Sequence, residues 1–476
     1  MMRDATAAMI RLKALAFLLA AGVLLLATPG GATPRRHAAG PVAPRQETPT
    51  ATEVPPSETA TPPAMATAEP TATDTATPEP ETATAQSTET ATPTVTDTAT
   101  PRPAPSATVD PRGRPIYLPS VRRGDPGLDR VVARTMALAG TGGRMDVWDW
   151  EAGVALAGLM YAYEANGDEK ILDFVARWTD RRLQAGGGSA GPSPRPPPCR
   201  TGAWPADGLA HPNQATPAWA VLMLHHHRPR PEYLAVVERS VAFLAQDACR
   251  VDGALAHVPN QLWDDTLIVS VPLLARYGAE LGHPEYLDLA VREVLAHARR
   301  LQDPATGVWY HGWDANRNDH LSGAFWARGN AWVAVAATEL LRWLPPDHPR
   351  RGEVVAVLDR QLRGLVVLQA RGGLWHTVTT RRDFYLETSG SAGIVAALWR
   401  ALEAGWIADD ALARAAAEVG RRAVQAKVAP DGTVTGVSAG TGVAPAIELY
   451  NGISNDKIQP YGQGLYLIMM TAGGGR

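Results

Sequence analysis

Cysteine is scarce in this sequence: Cys199 and Cys249 are the two cysteines among 476 residues. So few exclude a disulfide scaffold and a cysteine-built zinc cluster. A basic field is also missing. The formal net charge is -3, with Lys+Arg 45 against Asp+Glu 48, so nothing suggests a nucleic-acid partner. There is no HExxH and no P-loop. Phenylalanine is rare, five residues against fourteen tryptophans. Tryptophan suits sugar binding, because its flat apolar face stacks on a pyranose ring while its N–H reaches a hydroxyl. The same residues also fill large helical cores, and composition leaves both readings open.

At the N-terminus, Arg11 and Lys13 precede an apolar run from Ala14 to Ala27, and Gly30-Gly31-Ala32 follows. A basic start, an apolar run and a small-residue exit read as an export signal over 1–32. The run is short for a membrane span, and no cysteine directly follows for a lipid anchor. An uncleaved anchor is the alternative. Residues 33–124 are mostly Thr, Pro, Ala, Glu and Ser. Such a stretch cannot bury enough apolar surface to fold, and its prolines keep it extended as a stalk. The protein is therefore expected to be secreted or cell-surface, with no further membrane contact.

Residues 125–476 read as one all-α domain. Amphipathic periodicity predicts helices over 127–139, 150–165, 168–186, 214–227, 231–247, 264–281, 284–302, 328–344, 350–370, 387–404, 409–427 and 460–472. No run of alternating strands appears between them. Several second helices of a pair open alike, as in Arg230-Pro231-Glu232 and His283-Pro284-Glu285. Proline near the first position and acids in the first turn favour helix starts. These second helices are charged and belong outside; their apolar partners belong inside. Six of each complete an (α/α)6 barrel. A solenoid has the same local pattern, but neither end of this domain looks like a cap.

Residues that do not suit a core gather at the N-terminal ends of the inner helices. They are Trp148, Asp149, Trp150 and Glu151; His211, Asn213 and Thr216; Trp263, Asp264 and Asp265; Trp326, Arg328, Asn330 and Trp332; Glu387, Thr388 and Ser389; and Tyr461 and Gln463. Parallel inner helices would bring these ends into one pocket. Capping explains Thr388, Ser389 and Asp264 but not the accompanying Trp, Arg, His and Tyr. Asp264 and Asp265 point about 100° apart on a helix, so one aims into the pocket and the other caps or faces a neighbour. A helix N-terminus favours the carboxylate and apolar walls favour the acid, a balance that suits a proton donor and acceptor. Arg328 offers a fork for a substrate carboxylate, or is a buried arginine paired with Glu387 or Asp314. His257, His311 and Trp313 lie in loops flanking the same helix pair. His225-His226-His227 cannot face one ion from adjacent helical positions and reads as surface. No metal and no cofactor is expected. Cys199 and Cys249 both fall in loops around the second helix pair of an exported chain, and a disulfide between them is expected.

The chain resembles glycoside hydrolase families 88 and 105, the unsaturated glucuronyl and unsaturated rhamnogalacturonyl hydrolases. The likeness covers about 145–470. It rests on Trp148-Asp-Trp150-Glu-Ala-Gly153, Asn213-x-x-Thr216-Pro217, Trp263-Asp-Asp265-Thr266-Leu267, Asp303-Pro-Ala-Thr-Gly307, His311-Gly-Trp313-Asp314, Phe325-Trp326-x-Arg328-Gly-Asn330-x-Trp332, Gly373-Leu-Trp375 and Glu387-Thr388-Ser389. The resemblance implies the (α/α)6 fold and an unusual reaction. A 4,5-unsaturated uronic acid at the non-reducing end is hydrated at its vinyl ether: an aspartic acid protonates C4, then activates water for attack at C5. Carboxylate-spacing logic for ordinary glycosidases does not apply. The matching aspartate is Asp265. The resemblance also implies that His257, His311, Trp326 and Arg328 bind substrate. Trp150, Asn213, Trp263, Trp313, Asn330, Trp332, Trp375, Glu387 and Thr388 complete the expected pocket. The substrate would be an unsaturated uronic-acid oligosaccharide, of pectin or rhamnogalacturonan type, bound by a monomer or weak oligomer.

The chain departs from the family pattern at Ala331 and in Ser389-Gly390-Ser391-Ala392. The second aspartate that some relatives place on the preceding inner helix has no clear match, with Asp207 a weak candidate. Other readings are a polysaccharide lyase or epimerase on the same fold, or a stalked carbohydrate-binding protein without catalysis. A lyase would need an arginine, tyrosine or lysine base near the uronate, and none stands out beside Asp265.

Overall fold

Aspartate and proline set where many of the helices begin. The structure, a computed structural model, describes residues 125–186 and 209–473. The expected signal segment, the stalk, Cys199 and Asp207 lie outside the described residues. Helix α1 (Pro126–Met136) starts under Asp125, whose carboxylate accepts from the Gly127 and Leu128 amides. α2 (Trp150–Asn166) ends at Gly167, whose φ of 65° only glycine adopts freely. α3 (Glu169–Gln184) is capped by Asp168. The chain continues through α4 (Thr216–His227) and α5 (Pro231–Ala242). Next come α6 (Asp265–Glu280), α7 (Pro284–Leu301), α8 (Ala327–Trp343) and α9 (Arg351–Leu368). α10 (Thr388–Glu403), α11 (Ala411–Gln425), the short α12 (Glu448–Asn451) and α13 (Pro460–Thr471) complete the series.

The inner helices α2, α4, α6, α8, α10 and α13 are buried nearly all round and pack in that order. α13 then packs on α2, which closes the ring and excludes the solenoid. The seal is a glycine contact. A Cβ on Gly158 would meet the Gly464 Cα at 2.7 Å, and one on Gly464 would meet the Ala155 Cα at 2.8 Å. α1, α3, α5, α7, α9 and α11 form the outer layer, so the chain's first helix completes the last pair, beside α13.

Two differences from the sequence reading stand out. α5 gives way to a π turn over Phe243–Asp247. Three small antiparallel sheets also occur where no strands were expected. They are β1 (Arg250–Val251) with β2 (Ala254–Leu255); β3 (Gln261–Trp263), β4 (Gly312–Asp314) and β5 (Asp319–His320); and β6 (Trp375–His376) with β7 (Leu386–Glu387). Strands of two or three residues are too short to show a period of two. β3 and β7 each lead directly into an inner helix, α6 and α10, so the sheets position the site.

The far end of the barrel is ionic. Buried Arg276 bridges Glu164 at 3.1 Å and Glu280 at 2.9 Å. His226 and His227 stand 3.6 and 3.7 Å from Glu280 and Glu164. The triple-histidine run is thus at the opposite end from the inner-helix starts. Cys249 is disulfide-bonded. Among the described residues no helix is long and apolar enough to cross a membrane.

Candidate active site

Pairing of β3 with β4 builds the centre of the site. It sets Trp263 opposite Gly312, and the Asp264 amide donates to the His311 carbonyl at 3.0 Å. His311 is thereby held across from the first residue of α6. Its Nε2 lies 3.0 Å from Asp265 Oδ2. On its other side, Nδ1 is 2.6 Å from the Tyr450 hydroxyl. Ser322 Oγ and the Ala444 N–H reach that hydroxyl at 3.2 and 3.3 Å. The Ala444 N–H donates to the tyrosine oxygen; with Ser322 donating as well, the hydroxyl hydrogen is free to go to Nδ1. That leaves Nε2–H to donate to Asp265.

The two aspartates have opposite environments. The Asp265 side chain keeps 18% of its exposure, whereas Asp264 has none. Burial pushes Asp265 up, but the His311 hydrogen bond and nearby positive charge outweigh it, and its carboxyl titrates below the ordinary aspartate value. Asp264 is folded beneath Gly329, where any Cβ would overlap its carboxyl. Neither of its oxygens meets a donor in hydrogen-bonding geometry. Burial first, then the charge and carboxyl of Asp265, push it well above the ordinary value. Asp264 does not cap α6, contrary to one expectation for it. Potential ligand atoms of Asp264, Asp265 and His311 lie within 4.8 Å of one another. Of the three, Asp264 is sealed from solvent and Asp265 is partly exposed.

Around the acid stand aromatic and histidine side chains. His257 stacks on Trp263 at 4.6 Å, and its Nδ1 is 3.3 Å from Thr266 Oγ1. Burial pulls its pKa down to about 3 against the attraction of Asp265, so its ring is neutral. His211 meets His257 edge to face at 4.9 Å, and burial lowers its pKa as well. Trp263 Nε1 donates to Gln261 Oε1 at 2.9 Å, fixing the indole. Trp150, half-buried, stacks on Tyr461 at 4.6 Å. Asn213 is half-buried at the start of the turn leading into α4. Trp326 lies under His311 with ring centres 4.3 Å apart.

A strap over 436–451 covers one side. A Cβ on Gly440 would lie 3.9 Å from Trp150, and one on Gly442 would lie 3.7 Å from Trp263. Arg328 anchors this strap. It donates to the Ser438 carbonyl at 3.0 Å, the Ala439 carbonyl at 2.9 Å and Thr441 Oγ1 at 3.1 Å, and also meets Ser438 Oγ. It pairs with buried Glu387 at 3.4 Å and lies over the Trp326 and Tyr461 rings. Of the two readings offered for Arg328, the structure shows the buried pair with Glu387. Glu387 is occupied in turn, accepting from Ser389 Oγ at 2.7 Å and the Ser438 amide at 3.0 Å.

Several expected pocket residues stand elsewhere. Trp313 belongs to the opposite face of β4 from Gly312, because side chains alternate along a strand; it lies beneath Arg300 at 4.4 Å. Trp375 is wholly buried, with Nε1 donating to the Leu365 carbonyl at 2.7 Å. Asn330 ties the Trp309 backbone at 2.8 and 2.9 Å and faces no opening. Trp332 is buried behind Trp150, ring centres 6.2 Å apart. Thr388 is buried under Gly436. These five support the wall and do not line it.

Tyr450 was not anticipated, nor was His211 as a neighbour of His257. A clue to the strap was available: the stretch from α11 to α13 is long, glycine-rich and without periodicity, and such loops are usually functional. Tyr450 also supplies the tyrosine that the lyase reading lacked. Its hydroxyl donates to His311, and burial raises its pKa far above the ordinary tyrosine value, which disables it as a base.

The closed barrel and the partly exposed acid at its mouth are those of a glycoside hydrolase. The chain belongs to Glycosyl Hydrolase Family 88, whose profile matches residues 128–472. It is 32% identical over 354 residues to the unsaturated rhamnogalacturonyl hydrolase YesR of Bacillus subtilis, covering 72% of this chain and 93% of that protein. Among solved structures, a possible member of GH105 family from Salmonella enterica superposes with TM-score 0.64 at 26% identity, over 76% of this chain and 97% of that one. The unsaturated glucuronyl hydrolase of Bacillus sp. GL1 shares the fold, with TM-score 0.54 at 18% identity over 72% of this chain and 94% of its own.

Proposed function

We propose that the chain removes a 4,5-unsaturated uronic acid from the non-reducing end of lyase-generated oligosaccharides, with rhamnogalacturonan-type fragments as the substrate class. The observation that carries this reading is the partly exposed carboxyl of Asp265 at the start of α6, held by His311 Nε2 at 3.0 Å. One carboxyl that first gives and then takes a proton suffices for hydration of a vinyl ether. A proton from Asp265 forms the C4–H bond as the C4=C5 π pair moves onto carbon. Water then bonds to C5 and returns a proton to Asp265. The resulting hemiketal opens to a C5 ketone, and the hemiacetal left at C1 expels the adjoining sugar. Trp263 and Trp150 offer stacking faces for the rings. The similarity to YesR over 93% of that protein supports the rhamnogalacturonan class. An exported, stalked enzyme would meet such fragments outside the cell.

The test is loss of the ultraviolet absorbance of the conjugated uronide. Purified protein is incubated with lyase-generated rhamnogalacturonan and glycosaminoglycan oligosaccharides. Loss with the rhamnogalacturonan fragments is expected. Consumption of glycosaminoglycan fragments instead would overturn the substrate class, and no loss with either would overturn the activity.

A further inference from the structure

Asp264 has no role in the reaction as described, and its surroundings are costly without one. A fully buried carboxyl with no donor to either oxygen is unfavourable as an anion. Gly329 presses on it from α8, and a side chain there could not fit. Its polar neighbours are the Asp265 carboxyl, with an oxygen within 4.8 Å, the Asp265 backbone amide and His311 Nε2 at 4.0 Å. Two neighbouring carboxyls share a proton at rest, because ionising both is costly unless positive charge stands beside them. The other groups facing the pair are Arg328 from α8, Tyr450 from the strap, and His257 and His211 on the α4 side. The arrangement also resolves a difficulty. His311 favours Asp265 as the anion, yet the first step needs Asp265 as an acid.

We propose that Asp264 is a positioning residue that stores the reaction's proton: Asp264 and Asp265 share one proton, which reaches substrate C4 through Asp265. The inference rests on the hydration reading above. In the resting pair the proton sits on Asp264. As Asp265 protonates C4, the proton passes from Asp264 oxygen to Asp265 oxygen and on to carbon, which leaves the pair without a proton while positive charge develops at C5. When water bonds to C5, its proton enters Asp265 and the pair regains the charge it began with. Nothing is oxidised or reduced, and the sum is addition of one water across C4=C5.

The experiment compares the pH profiles of kcat and kcat/KM for wild type and Asp264→Asn on an unsaturated rhamnogalacturonan disaccharide. It is joined by infrared spectra of both proteins labelled with carboxyl-carbon-13 aspartate. Asparagine keeps the shape but cannot store the proton. The expected result is a kcat about 100-fold lower at neutral pH, the scale of one acid–base group. KM should stay within about twofold, because Asp264 does not touch substrate. The alkaline limb should move about one unit or more to lower pH, since Asp265 alone is an acid only there. A packing defect would lower activity at every pH alike, and that outcome overturns the proposal. In the infrared, wild type should show a protonated aspartate band at neutral pH that is absent from Asp264→Asn. Its absence from wild type overturns the proposal even if the variant fails to fold. If wild type consumes no unsaturated uronide, the functional reading fails, while the band still decides whether Asp264 holds a proton.

Discussion

His311 and Tyr450 are separated by 139 positions in the chain and by 2.6 Å between Nδ1 and the hydroxyl. The bond fixes which histidine nitrogen carries hydrogen and so which face it offers Asp265. Tyr450→Phe removes the donor and leaves the ring in place. The expected result is a fall in kcat of about tenfold, the lower range for a group that orients an acid–base residue. KM and melting temperature should change little. Steady-state kinetics and a thermal melt check this; a twofold effect or less would show that the ring needs no such support.

Arg328 ties 436–451 to the barrel through Ser438, Ala439 and Thr441. Arg328→Lys keeps the charge but loses the fork. Glu387 would be left poorly paired in a buried setting, a loss on the order of 3–5 kcal/mol. Lower thermal stability, faster proteolysis within the strap and a raised KM are expected together. Unchanged proteolysis in this variant would remove the strap-anchor role.

His257 makes stability depend on pH. Its folded pKa is depressed to about 3 by burial, below the roughly 6.5 of a free histidine. The unfolded chain therefore binds the extra proton first as pH falls. Stability is full above about 6.5 and declines progressively as pH falls towards about 3, by an amount on the order of a few kcal/mol. Urea midpoints at pH 7 and pH 4 should separate less in His257→Gln than in wild type. Equal separation in both proteins would assign the acid sensitivity to other groups.

Gly464 lets α13 lie against α2. A methyl group there meets backbone atoms of Val154 and Ala155, and overpacking of this kind costs about 1–3 kcal/mol or more. Gly464→Ala should melt several degrees lower, by calorimetry, than Gly352→Ala, whose added Cβ meets nothing within 4 Å. Equal melting temperatures would mean that the ring closes with room to spare.

The helical frame was legible because its signals are local and repeat. Charged amphipathic outer helices alternate with apolar inner ones, and twelve such segments appear at their expected places. Asp265, His257, His311 and Trp263 were legible because they stand at or beside one helix start. The remainder depends on long-range contacts that leave no periodic trace. Trp313 looked like a neighbour of His311, but strand alternation turns it to the other face. Asn330 and Trp375 carry the right chemistry at the right end, yet backbone carbonyls deep in the wall take their hydrogen bonds. Tyr450 reaches His311 only because the strap folds back over the barrel. Asp264 looked like a cap, since no sequence pattern shows that Gly329 and Asp265 enclose it.

The central claim is that the double bond is hydrated with Asp265 as proton donor. The direct measurement is turnover of an unsaturated rhamnogalacturonan disaccharide in deuterium oxide, followed by NMR, beside Asp265→Asn. Deuterium at C4 of the released uronate, with no turnover by the variant, is the predicted result. Release of a sugar whose C4=C5 bond remains intact, or undiminished turnover by Asp265→Asn, would contradict it.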